Sequence, residues 1–240
     1  MFFWMAPMMY LLGIYVLAAI LPAVVLMRYI YRHDTVEKEP PGLLLSLIFM
    51  GVLAAMISVA LERLGMGLLD ALVDPGSPVY TILLAFLVVA AVEEGTKFFL
   101  LKRRTWQDPN FNYRFDGIVY AVFVSLGFAA FENIKYVMGY GLSVALPRAL
   151  LAVPGHMGFA VFMGVFYGRA KLRWNDGDEA GCRGNLIAGY LAAVLLHGIY
   201  DTCAMIGSGL AALAFAVFVA AMYIIVIRLI KRESATDTPV

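Results

Sequence analysis

Charged side chains are scarce in this 240-residue sequence. They make up 15% of it, against about a quarter in an average soluble domain, while 62% of the residues are hydrophobic. Mean hydropathy is +0.84. This composition excludes a soluble globular domain and an intrinsically disordered chain. A charge of one sign is also lacking: the net charge is +1, and the basic residues sit in short clusters between apolar runs. No basic face for nucleic acid can be built from them. Cysteine is nearly absent, and the two present, Cys182 and Cys203, form no CxxC pair. One falls in a polar loop and the other near the far end of the next apolar run. They are expected on opposite membrane sides, without a disulfide. There is no GxSxG motif, HExxH motif, low-complexity tract or heptad array, and no clear inverted repeat of the kind many carriers contain.

Long hydrophobic runs are abundant. Crossing ~30 Å of hydrocarbon takes about 20 apolar residues at ~1.5 Å rise. Seven stretches qualify: 9–31, 42–61, 79–101, 116–138, 145–168, 186–206 and 210–230. Short connections separate them, with EPPG, DPGSP and WNDGDEAGCRGN as clear breakers. The first run lacks a basic leader and a small-residue cleavage site, so it is expected to be a retained span. The only polar tail is RESATDTPV, too short to fold alone. The expectation is an all-α integral membrane protein, a polytopic bundle of about seven transmembrane helices. Residues 1–240 are expected to form a single transmembrane domain.

Lysine and arginine set the orientation. With the N-terminus outside, fourteen of the eighteen fall on the cytoplasmic side, including Arg28, Arg32, Lys102, Arg103, Arg104, Arg228, Lys231 and Arg232. Only Arg63, Lys135 and Arg148 fall outside, and Lys97 lies within a span. The chain is therefore expected in the cell membrane, multi-pass, with its C-terminus cytoplasmic.

Inside these spans lies a small set of polar residues. VVAAVEEGTKFFL carries Glu93, Glu94 and Lys97; FAAFENIKY carries Glu132 and Asn133; VPGHMGF carries His156; HGIYD carries His197 and Asp201. A charge at mid-bilayer costs roughly 2.5–3.5 kcal/mol on insertion scales. A single such residue is commonly a hydrogen-bonded contact between helices. Three glutamates and two histidines on four helices exceed that role, because each needs desolvation and a partner. A shared, partly hydrated interior pocket accounts for all of them.

Helical spacing sharpens the grouping. Lys97 is four residues from Glu93 and three from Glu94, so either pair shares a face. Carboxyl groups acting as base and acid are the pairing that hydrolysis requires. His197 and Asp201 are one turn apart, and Asp201 is expected to accept the Nδ1 proton and fix the tautomer. Lys135 reads as a snorkelling lysine and GFAAF as a packing surface. Ser125 has no base near it in sequence. Depth is uneven: at ~1.5 Å per residue, Glu93 lies about 21 Å from the outer end of its span, His156 and His197 about 14–17 Å, and Glu132 about 9 Å. Tilt or a kink at Pro154 would have to bring them level.

EEGTK, then FENIKY, then an isolated histidine, then HGIYD, in successive spans, resembles the PrsW family of membrane proteases. That family sits with the CAAX-processing and bacteriocin-processing enzymes of the Abi, glutamate-type superfamily. The resemblance covers about residues 80–206. It implies that Glu93 and Glu94 act on water, one of them as general base. Lys97 takes the basic position of the motif, Glu132 is the second-motif acid, and His156 and His197 fill the two histidine positions. Asp201 closes the last motif, and Asn133 is a neighbouring candidate for oxyanion donor. Helices 79–206 would then be catalytic, with 9–31, 42–61 and 210–230 in support. The implied partner is a membrane-anchored protein substrate, with an anti-sigma factor cut at its first site in a signalling cascade as the family's association. No partner beyond that substrate and the lipid bilayer is implied, and no nucleic acid.

Two rival readings use the same residues. One is a metal-dependent membrane protease or CAAX-like prenyl-protein peptidase. Glutamate and histidine suit zinc, and Glu93, Glu94, Glu132, His156 and His197 would be the ligand pool, although no cofactor is assured. The other is a proton-coupled transporter relaying protons through buried Glu, Lys and His.

Overall fold

A computed structural model describes the backbone of residues 2–240 and the side chains of residues 10–240; Met1 lies outside the described residues. Among the described residues, seven helices are long and apolar enough to cross a membrane. They are α1 (Phe2–His33), α2 (Pro41–Leu72), α3 (Pro78–Thr105), α4 (Asp116–Tyr140), α5 (Leu142–Asn175), α6 (Glu179–Met205) and α7 (Gly209–Ala235). The protein is a polytopic all-α bundle, as its apolar runs require.

The helix ends follow their sequence. α2 opens on Pro41, whose missing N–H would be unpaired in a first turn anyway. Ser77, Asp178 and Ser208 cap α3, α6 and α7 by accepting from the N–H of Tyr80, Gly181 and Ala211. The breaker between α6 and α7 turns through Gly207 at φ 67, a left-handed conformation open to glycine. One boundary differs from expectation: α2 continues eleven residues past Leu61, through ERLGMGLLDAL, to Leu72. Glu62 and Arg63 end the apolar run, yet the segment still holds good helix formers. The helix therefore continues where the hydrophobicity stops, and Glu62 becomes part of the bundle.

α4 is the axis. In its most apolar stretch 78% of residues are buried, against 11% for α1 and 17% for α7, which face outward. Backbone-to-backbone contact sets its neighbours. A Cβ on Gly127 of α4 would lie 2.4 Å from the Ile48 carbonyl oxygen of α2, and one on Gly51 of α2 would lie 2.0 Å from the Val124 oxygen. Such small-residue contacts are how apolar helices associate where lipid competes for every apolar surface. Gly127→Ala forces two backbones apart and is expected to destabilise by about 1–3 kcal/mol, the scale of core overpacking. Thermal unfolding in detergent micelles measures it; an unchanged midpoint would show the helices to be further apart.

The end of the bundle that carries the basic clusters is closed by the C-terminal residues. Val240 N–H donates to Asn112 O (2.9 Å), Arg114 N–H to Thr238 O (3.0 Å) and Phe115 N–H to Asp237 Oδ1 (2.9 Å). Tyr113 and Pro239 form an isolated β-bridge. The polar tail thus docks instead of hanging free. Two loop carboxyls are buried beside it, each with one oxygen lacking a hydrogen-bond partner, Asp34 Oδ2 and Glu39 Oε2. Burial pushes the Asp34 carboxyl up to about 6, with Lys38 opposing and Asp237 and Glu37 adding, and pushes Glu39 up to about 7. Carboxyls raised in the folded state favour it fully below their ordinary range, and that stability is lost as pH rises through about 6–7. Asp34→Asn should therefore melt about 2–4 °C above wild type at alkaline pH and level with it in acid. Parallel melting curves across pH would contradict this.

Candidate active site

The polar residues of four spans meet at one place. In α3 a π-helical stretch, Leu84–Ala90, precedes the glutamates; such stretches mark functional positions in many helices. Phe86 within it packs where a Cβ on Gly198 would stand, 2.4 Å from its Cδ1, which sets α3 directly against α6 beside His197. A second π-helical stretch, Arg148–Ala152, precedes His156 in α5.

Lys97 is the hub. Its Nζ donates to Glu93 Oε2 (3.0 Å) and Glu94 Oε1 (2.8 Å) and lies 3.3 Å from His156 Nδ1, so all three ammonium hydrogens are used. The Phe128 ring lies 3.9 Å below the ammonium, a cation–π contact. Lys97, Glu93, Glu94, His156 and His197 are all buried. His197 Nδ1 is 2.9 Å from Glu94 Oε1, and its Nε2 is 3.3 Å from Asp201 Oδ2. Asp201 therefore sits at Nε2 and Glu94 at Nδ1, the reverse of the expected tautomer assignment. The carboxylate of Glu94, on another helix, takes the nearer nitrogen, a pairing that spacing along the sequence does not show. Phe159 stacks on His197 at 4.7 Å and holds its ring plane.

Glu132 joins the group despite its shallow position in sequence. Its Oε2 is 3.1 Å from His156 Nε2 and accepts from Arg148 Nη2 at 2.8 Å. α4 runs to Tyr140, beyond the expected end at 138, and the long side chains of Glu132 and Arg148 span the remaining depth. Asn133 behaves differently. Its Nδ2 donates to Ala19 O of α1 (2.7 Å) and its Oδ1 accepts from Arg148 Nε (2.7 Å). Asn133 is buried and does not line the cavity described next; these two bonds make it a tie between α1 and Arg148. Ser125 Oγ donates to the His156 carbonyl (3.0 Å), linking α4 to α5.

A cavity of about 190 Å³ opens among these groups. Glu93, Glu132, His156, His197 and Asp201 line it, and Glu94 lies behind its wall. Glu62 of α2 and Arg148 of α5 line it too, and sequence reading missed both. Glu62 fell one residue beyond the expected span. Arg148 counted as an external basic residue, although an arginine eight residues before a membrane histidine was a signal.

The Glu93, Glu94 and His156 donor atoms all lie within 4.8 Å of one another, and Glu94 Oε2 is buried without a partner. Around them the carboxyls of Glu62, Glu93, Glu94, Glu132 and Asp201 outnumber the cations Lys97, Lys135 and Arg148 by five to three. Two carboxylates and an imidazole in a site short of positive charge fit a divalent ion. Lys97 shares those oxygens and would compete with it.

Ionisable side chains converging on an enclosed cavity within a seven-helix bundle define the class: a membrane-embedded enzyme. Residues 39–228 match the family model described as PrsW family intramembrane metalloprotease. The chain is 35% identical to Protease PrsW of Geobacillus kaustophilus over 184 residues, 77% of this chain and 76% of the relative. It is 35% identical to Protease PrsW of Bacillus subtilis over 188 residues, 77% and 79%. Against Protease PrsW of Halalkalibacterium halodurans it is 30% identical over 220 residues, 92% and 97%. No solved structure matches the chain. The chain belongs to the PrsW family, and it is a membrane peptidase.

Proposed function

We propose that this protein hydrolyses a peptide bond of a membrane-anchored protein in the cavity between α3, α4, α5 and α6, with Glu93 as the general base. The observation that carries the reading is the single cavity that Glu93, Glu132, His156 and His197 share. Between the adjacent glutamates, Glu93 borders the cavity, whereas Glu94 is sealed behind it holding Lys97 and His197. Glu93 would take a proton from a water molecule, whose oxygen then bonds to the peptide carbonyl carbon. The oxyanion that results would be met by the N–H groups of Arg148 that Glu132 and Asn133 leave unused, donors that act strongly where bulk water is excluded. Glu93 then passes the proton to the amine as the C–N bond breaks. Glu132 holds His156 and Arg148 in place. Glu93, Glu94 and His156 would hold a divalent ion, zinc by ligand type, whose contribution when bound is Lewis-acid polarisation of the carbonyl.

The family resemblance supports the first cleavage of a membrane-spanning anti-sigma factor as the reaction. The distribution of Lys and Arg supports an outside N-terminus and a cytoplasmic C-terminus. Reconstituted protein mixed with a tagged single-span substrate in liposomes should yield two defined fragments. A chelator that stops cleavage, with zinc restoring it, would support the ion. Absence of fragments from wild-type protein with every single-span substrate tried, together with proton flux in sealed vesicles, would return the site to the transporter reading.

A further inference from the structure

The catalytic cavity is too small for its own substrate. At about 190 Å³ it falls below the roughly 300–1,000 Å³ of ordinary ligand pockets, and holds little more than a peptide bond and the water that attacks it. A protein chain continues on both sides of that bond. Beside the cavity lies a larger groove of about 580 Å³, at the end of the bundle away from the basic clusters, between the start of α5 and the α6–α7 corner. Arg148, Ala152, Tyr200 and Asp201 line both spaces, so one wall is common to them. Beyond that wall the groove is bounded by Cys203 and Ala212 and is mostly apolar. Small side chains on α7 leave it wide, and Gly207 turns the chain at the corner without a side chain.

We propose that this groove is the binding site for the stretch of substrate adjoining the scissile bond, an extended, small-residue or apolar segment of the membrane-anchored protein. The inference rests on the hydrolytic reading of the neighbouring cavity. Three observations favour this occupant. The groove shares four lining residues with the cavity. Its volume, about 580 Å³ against about 190 Å³, admits several residues where the cavity holds one bond. Its charged groups, Arg148 and Asp201, stand at the junction, where an extended backbone with unpaired C=O and N–H groups would pass. Elsewhere its wall is mostly apolar, with Ser208 at the α6–α7 corner as a polar exception. Arg148 is then the residue the chain passes on its way to Glu93. It already bridges Glu132 and Asn133, and its guanidinium stacks on Tyr136 at 3.8 Å.

The protein supplies its own probe, because Cys203 lines the groove and is half-buried while Cys182 is buried at the far end. In a Cys182→Ser background, full-length protein in liposomes is mixed with a tagged single-span substrate carrying one cysteine, moved residue by residue across the cleavage site. Under mild oxidation, a disulfide to Cys203 should form at a narrow set of positions on one side of the cut. Ala212→Trp, which fills the groove and touches none of the catalytic groups, should lower kcat/KM at least tenfold through KM. Undiminished cleavage by Ala212→Trp, or disulfides spread evenly along the substrate, would overturn the proposal, and the disulfide pattern decides it even if the tryptophan variant does not fold. Cys203 shielded from maleimide to the same degree with and without substrate would mean a lipid chain fills the groove, which also overturns it. If wild-type protein cleaves nothing, the hydrolytic reading itself fails; if it cleaves normally without these signatures, only the groove assignment fails.

Discussion

Glu93→Gln should lower the rate of substrate cleavage by about 10²–10⁴-fold, the contribution of a positioned general base, while the protein folds and melts as before. The amide keeps the shape of the carboxylate and still accepts from Lys97, 3.0 Å away in the native protein, but it takes no proton from water. Glu94→Gln touches two partners, Lys97 and His197, and loses the charge that pairs with both. Its loss of activity should come with a lower melting temperature. The contrast between a variant that is stable and inactive and one that is inactive and less stable distinguishes the two adjacent glutamates. Single-turnover cleavage and differential scanning fluorimetry on the same preparations read both quantities. Equal melting losses for the two variants would assign them the same role.

Lys97→Met is expected to have the largest effect on stability. The ammonium is buried, bonds two carboxylates and sits at 3.9 Å over Phe128. Methionine fills nearly the same volume but leaves Glu93 and Glu94 without their shared counter-charge. Breaking a buried ion pair from one side costs about 3–5 kcal/mol, which for a chain of this size lowers the melting temperature by about 6–20 °C. Restoring stability by adding Glu93→Gln and Glu94→Gln to Lys97→Met would confirm that stranded charge is the cause. A Lys97→Met protein that melts with wild type would remove Lys97 from the hub.

The bundle could be read in the sequence because membrane crossing depends on run length and charge count, both one-dimensional. EEGTK, FENIKY, the lone His156 and HGIYD were legible for a related reason: ionisable residues stand out against apolar runs. What sequence could not carry was pairing across helices. That Glu94, not Asp201, faces His197 Nδ1 depends on how α3 rests on α6, which is set by Phe86 against Gly198. The depth of Glu132 depended on where α4 ends and on the reach of Arg148. Glu62 lay hidden because a hydropathy run and a helix do not stop at the same residue. Asn133 was drawn toward the site by its neighbour in the motif, whereas helix geometry turns it toward Ala19.

The central claim is that residues from separate helices form one reacting unit. Cleavage rates of Glu93→Gln, His197→Ala and the double variant, measured in the same liposomes with the same tagged substrate, test it most directly. Groups acting together in one step are strongly non-additive. The double variant should therefore lose no more than about the larger single loss. If the two losses multiply, or if either single variant cleaves at the wild-type rate, Glu93 and His197 do not serve a common site.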